Sequence, residues 1–237
     1  MITFPLGMKK LLFLHFNIVI MILDLEKFRN VPIDSVVLQH LLSDYQFPKN
    51  KITSLEKEGT IVRLKKGLYV GVDKFTGKTI SRELIANHLY GPSYISLETA
   101  LSYFNIIPER VYEVRSMTTK RSKKFNTKLG IFTYLTTSKE YFSIGIKIEN
   151  IEDEIAFLIA TPTKALCDLI VSTSHIRLQS LKAMQSYLME DLRIEKECIN
   201  DLDLDIVYQS IPFSKKKNEL HFLAQVITNN QLINKNI

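Results

Sequence analysis

A chain of 237 residues is long enough for one large domain or two modest ones, with a buried core in either case. Hydrophobic residues make up 46% and charged residues 24%, which excludes a collagen-like or low-complexity chain. The net charge of +6 gives mild support to an acidic partner such as nucleic acid, and the two cysteines, Cys167 and Cys198, argue against a disulfide framework and fit a reducing compartment.

Residues 1–23 carry Lys9 and Lys10 ahead of an apolar run, LLFLHFNIVIMIL. A positive end followed by an apolar stretch has the outline of a signal peptide. His15 and Asn17 interrupt it, no small-residue cleavage site follows, and the run is short for a bilayer span. The expectation is an extra helix, or an extension upstream of a start at Met21. A membrane anchor and a cleaved signal are the alternatives.

Residues 24–75 read as a DNA-binding module. A helix is predicted over residues 34–45, with Asp34 as cap and Val37, Leu38, Leu41 and Leu42 facing inward. Pro48 suits the first turn of a second helix, which stops at Gly59. Only Ile52 and Leu55 are apolar in it. Lys49, Asn50, Lys51, Thr53, Ser54 and Lys57 line the rest, a composition fit for a major groove. Two β-prone segments, Ile61–Val62 with Arg63 following and residues 68–72, flank a turn at Lys65, Lys66 and Gly67. Helix, polar helix and basic hairpin in this order make a winged helix-turn-helix. In it the lysines would meet phosphates and the helix side chains would meet base edges. A solvated lysine-rich surface on a small α+β unit is the alternative.

Residues 76–237 read as a larger α+β domain. A helix is predicted over 81–90 and a short one after Ser96, with Glu98 in its first turn, Asn105 at its left-handed end and Pro108 preventing resumption. The stretch GPSYISLETALSYFNIIPERV is expected to be a turn and helix at the joint between the two parts, with Glu109 and Arg110 paired. Strands follow at 111–118, 130–137, 142–148 and 155–160, giving a mixed or antiparallel sheet. Between the first two, Lys120, Arg121, Lys123, Lys124 and Lys128 form a second basic surface, read as a phosphate-contacting loop or a solvated hairpin. Thr161 and Pro162 start a helix in which Leu166, Leu169 and Ile170 face inward and Lys164 can pair with Asp168. Cys167 reads as core. Amphipathic helices are expected at 178–192 and 219–228, with an acidic loop or helix edge at 201–205.

The sequence holds no Gly-rich phosphate loop, no HExxH and no GxSxG. Its five histidines lie far apart. It predicts no metal site, no cofactor and no catalytic centre. An enzyme assembled from distant residues is the runner-up, with Glu98, Glu109 and Arg110 as the first polar residues to test.

Three phrases taken together, GTIVRLKKGLYV, GPSYISLETALSYFNIIPERV and TPTKALCDLI, make residues 24–172 resemble the AbiEi family of abortive-infection antitoxins. The central phrase, running on into MTTKRSKKF and GIFTY, is the specific part. Asn105 stands where a glycine is expected in relatives. The resemblance implies a cytoplasmic, bipartite protein without a membrane partner. A winged helix would repress its own operon by binding promoter DNA at inverted repeats, two copies per operator. The C-terminal domain would counter a neighbouring nucleotidyltransferase-like toxin, in the type IV manner that needs no stable complex. A plain regulator without a toxin is a further alternative.

Overall fold

The computed structural model describes residues 31–72, 80–151, 155–174 and 177–235, so the reading of residues 1–23 lies outside the described residues. Helices and sheets are mixed, α+β as expected. The chain divides into two compact units. One holds the described residues up to Ser81 together with Thr127–Leu129; the other holds Arg82–Asn126 and the chain from Gly130 on.

The first unit contains β1 (Pro32–Asp34), α1 (Ser35–Leu41), α2 (Pro48–Lys57), β2 (Ile61–Lys65) and β3 (Leu68–Gly71). Asp34 caps α1, accepting the Val36 N–H at 2.8 Å. The helix stops short of residue 45. Leu38 and Leu42, four apart, share the face that enters the core, while Val37 lies one step off it and is 43% exposed rather than buried. β3 is the middle strand, antiparallel to β1 and β2. β1 was not predicted, because three residues show no alternation. A register shift between Arg63 and Lys65 turns Leu64 into the core. Gly67, at φ +82°, makes the tight turn, and its carbonyl accepts the Ser35 N–H at 2.8 Å. Ile33, Leu38, Leu42, Ile52, Leu55 and Ile61 form the core.

The second unit contains α3 (Arg82–Leu89), β4 (Ser93–Ile95), α4 (Leu97–Tyr103), β5 (Val114–Thr118), β6 (Lys123–Thr127), β7 (Gly130–Thr136), α5 (Lys139–Phe142), β8 (Ile146–Ile151), β9 (Ile155–Ala160) and α6 (Pro162–Ser172). Then come α7 (Leu181–Ser186), which runs into a π-helical turn, α8 (Lys196–Asn200), α9 (Leu204–Ser210) and α10 (Lys217–Lys235). The sheet order is β6-β7-β5-β4-β9-β8. β4 is antiparallel to β5 and parallel to β9, while β5 and β7 are parallel and β8 and β9 antiparallel.

Several expectations change here. The stretch 91–111 lies inside this unit, and its first part is β4, buried on both faces, instead of a plain turn. The strand expected at 142–148 begins at Ile146. Ser138 caps α5 by accepting the Tyr141 N–H at 3.3 Å, and Gly145, at φ +62°, breaks the chain before β8. The lysine-rich segment after Thr119 contains strand β6. Glu109 pairs with Arg193, while Arg110 lies over the Tyr112 ring. Glu98 stands in the first turn of α4 and pairs with Arg115, and Asn105 takes the left-handed end at φ +56°. Thr161 caps α6 as predicted.

The centre of this unit is charged. Lys164 and Asp168 are both 0% exposed, with Nζ 3.2 Å from Oδ1. Lys164 Nζ also donates to the Tyr141 carbonyl at 2.9 Å and sits 3.1 Å from the Tyr141 ring centre. Asp168 Oδ2 accepts from Tyr94 Oη at 3.0 Å and from Ser96 Oγ at 2.5 Å. Ser96 stands at the cap position of α4, yet its hydroxyl makes no capping bond and serves Asp168 instead. Gly145 lets α6 approach, since a Cβ there would stand 2.8 Å from Lys164 Cβ. Burial pulls the Lys164 ammonium below its usual pKa. It pushes the Tyr94 and Tyr141 phenols well up, and the Asp168 charge adds to that.

Two outcomes follow from this centre. Asp168→Asn strands a buried ammonium and costs about 3–5 kcal/mol, seen as a lower urea midpoint. Lys164→Met combined with Asp168→Leu recovers part of that loss; a single variant as stable as the parent would contradict the buried pair. For alkaline titration, Tyr94, Tyr134 and Tyr141 have folded pKa values above their unfolded ones, and Tyr187 is raised by burial to about 12. The stability they contribute is full below the unfolded value of about 10 and is lost as pH rises past it. Lys164, whose pKa is lowered, acts in the opposite direction below its unfolded value. Phenolate absorbance from the buried tyrosines therefore rises together with loss of helical circular dichroism. Ionisation of these phenols in the intact fold would contradict the burial.

Candidate nucleic-acid interface

Residues 48–66 hold six basic side chains against two acidic ones, Glu56 and Glu58. α2 presents three of them, Lys49, Lys51 and Lys57. Pro48 occupies its first turn, and Glu58 and Gly59, at φ +71°, end it. Only Ile52 and Leu55 enter the core. At about 100° per residue, the arc opposite them holds Asn50, Thr53, Ser54 and Lys57, with Lys49 and Lys51 on its flanks. Lys49, Asn50, Thr53 and Lys57 are exposed; Lys51 and Ser54 are half-buried.

These side chains are not equally free. Thr53 Oγ1 donates to the Lys49 carbonyl at 3.1 Å, and Ser54 Oγ donates to Glu58 Oε1 at 2.6 Å. Both hydroxyls are spent within the helix. Lys51 Nζ lies 5.4 Å from the centre of the Tyr45 ring. Lys49, Asn50 and Lys57 have no side-chain partner among the described residues. In the hairpin, Arg63 and Lys66 are exposed and likewise unpartnered, while Lys65 is half-buried and engaged. Of the residues singled out in α2 and the hairpin, Lys49, Asn50, Lys57, Arg63 and Lys66 thus keep free side chains among the described residues.

The second basic group is more committed. Lys120, Arg121, Lys123 and Lys124 belong to the second unit, whereas Lys128 groups with the first. Lys124 pairs with Glu113 at 3.0 Å. Lys120 donates to the Gly91 carbonyl, and Lys123 Nζ lies 4.8 Å from the Phe125 ring centre. Arg121 and Lys128 keep free side chains among the described residues.

The burial of Lys164 and Asp168 is not legible in the sequence, since i,i+4 spacing shows that they can meet but not where. A cavity of about 550 Å³ in the second unit was not legible either. Its hydroxyls are largely satisfied within the protein: Ser122 and Thr136 bond each other at 2.9 Å, and Ser138 caps α5. Among the described residues no cluster of three or more His, Cys, Asp or Glu could hold a metal ion. None of the described helices is long and apolar enough to cross a membrane. No protein-family model matches the chain, and no curated protein matches it.

Proposed function

We propose that the first unit is a winged helix-turn-helix that binds the promoter of its own operon as an autorepressor. α2 enters the major groove and the β2–β3 hairpin is the wing. The observation that carries this is the narrow grip of α2: two buried residues hold it, and the opposite arc shows Asn50 and Lys57 free. Arg63 and Lys66 extend the same kind of surface on the hairpin. Arginine and lysine there neutralise phosphates and set register, while Asn50 suits an adenine edge. The second unit acts as an antitoxin of the type IV kind against a nucleotidyltransferase-like toxin, in the cytoplasm. Support for that part comes from the resemblance carried by residues 91–111 and 161–170.

Gel-shift titration against the chain's own upstream DNA tests the first part. Lys57→Ala, Arg63→Ala and Lys66→Ala each weaken binding and lower the salt slope by about 1. Lys51→Ala has a smaller effect, because its ammonium rests on Tyr45. Glu58→Gln has the opposite sign and tightens binding, since it removes a negative charge beside the reading face. Parent-like affinity of the three weakening variants at every salt concentration would sink the assignment. For the antitoxin part, the neighbouring gene is expressed with and without this one. Growth rescued only by co-expression is expected, and equal growth in both would refute it.

A further inference from the structure

β8 is an outer strand of the second unit's sheet, and among the described residues nothing pairs with its far edge. Its neighbour shows which of its backbone groups are unused. Leu158, in β9, turns its N–H and C=O away from β8. The N–H donates to Asn87 Oδ1 at 2.6 Å, and the C=O accepts from Asn87 Nδ2 at 3.3 Å. Leu158 stands opposite Ile148 in antiparallel register. Facing residues in such a ladder alternate between pairs that exchange both backbone bonds and pairs that exchange none. Ile148 and Leu158 are a pair of the second kind. So are Ile146 with Ala160 and Asn150 with Ala156. The N–H and C=O groups of Ile146, Ile148 and Asn150 therefore point outward from the sheet.

The side chains of this edge do not repel a second strand. Ile148 is 64% exposed and Leu158, beside it on the same face, 37%. Lys147 and Glu149 occupy the other face and pair at 2.8 Å. Lys147 Nζ lies 4.3 Å from the Phe104 ring centre, drawn back over its own sheet. The register runs unbroken from Ile146 to Ile151, with no bulge and no proline. The opposite end of the sheet, β6, shows exposed Lys123 and Lys124, the usual protection of an edge.

We propose that β8 is a self-association edge, on which two copies of this chain pair their β8 strands antiparallel about a two-fold axis through Ile148. Two independent features select that register. With Ile148 facing Ile148, Ile146 faces Asn150, and every outward group of the three residues finds a partner. Lys147 of each copy then faces Glu149 of the other, opposite charges directly across. A register centred on Lys147 or on Glu149 sets like charges face to face. The apolar strip of Ile148 and Leu158 becomes continuous across the axis, which removes exposed surface from water.

Sedimentation equilibrium of the full chain without nucleic acid tests this, so failure here leaves the DNA reading untouched. The parent dimerises. Lys147→Glu and Glu149→Lys each raise the dissociation constant at least about tenfold, because like charges then face each other twice. An equimolar mixture of the two variants regains association, since each now meets opposite charges, and the recovery shows that both are folded. Ile148→Pro also abolishes association, and the strand tolerates it because the lost N–H points outward. A parent that stays monomeric up to its solubility limit overturns the proposal. So does a dimer indifferent to these variants, or a mixture that fails to recover.

Discussion

The pairing of Lys164 with Asp168 at zero exposure is the constraint on which the second unit depends. Charges so far from water are tolerated only where other groups replace the lost solvent. α6 supplies both charges, Tyr94 and Ser96 supply hydroxyls, and α5 supplies a carbonyl and a ring face. Strand β4, the start of α4, α5 and α6 are thereby tied to one point. Desolvation of the two charges offsets much of their attraction, so the pair adds little net stability. It does limit how these four elements can be arranged, since a shifted helix would leave a buried charge unmatched.

The first unit is built in the opposite way. Its core cluster of Ile33, Leu38, Leu42, Ile52, Leu55 and Ile61 is apolar and small, and its helices touch it along narrow stripes. A helix held by Ile52 and Leu55 alone leaves most of its circumference to other uses. On the proposed reading, that exposed arc is the surface turned to DNA. The second unit spends most of α6 on packing, with Thr163 to Ile170 buried without a break, and leaves its exposed apolar groups at places such as the β8 edge. One unit thus offers charge and hydrogen bonds, the other an open strand.

Local signals in the sequence carried over well. Asp34, Pro48, Gly59, Asn105 and Thr161 mark element ends through caps, fixed φ or left-handed geometry, which depend on few neighbours. Strand β9 was legible from its apolar run. Elements of three residues, β1 and β4, were not, because no periodicity can show in so short a span. β6 was hidden because an edge strand carries lysines where an inner one carries valines. The exposed residues of the candidate interface were named from the sequence. Which of them are free was not, since the bonds of Thr53, Ser54 and Lys51 depend on rotamers that spacing does not reveal. Lys164 and Asp168 show the same limit: their spacing announced a pair, and only the fold placed it in the core.

On the proposed reading, α2 and the β2–β3 hairpin face DNA. Amide hydrogen exchange of the full chain, with and without the DNA upstream of its own gene, tests this residue by residue. Slower exchange on binding is expected across residues 48–57 and 61–71. Binding without any protection there, or protection confined to the second unit, would contradict it.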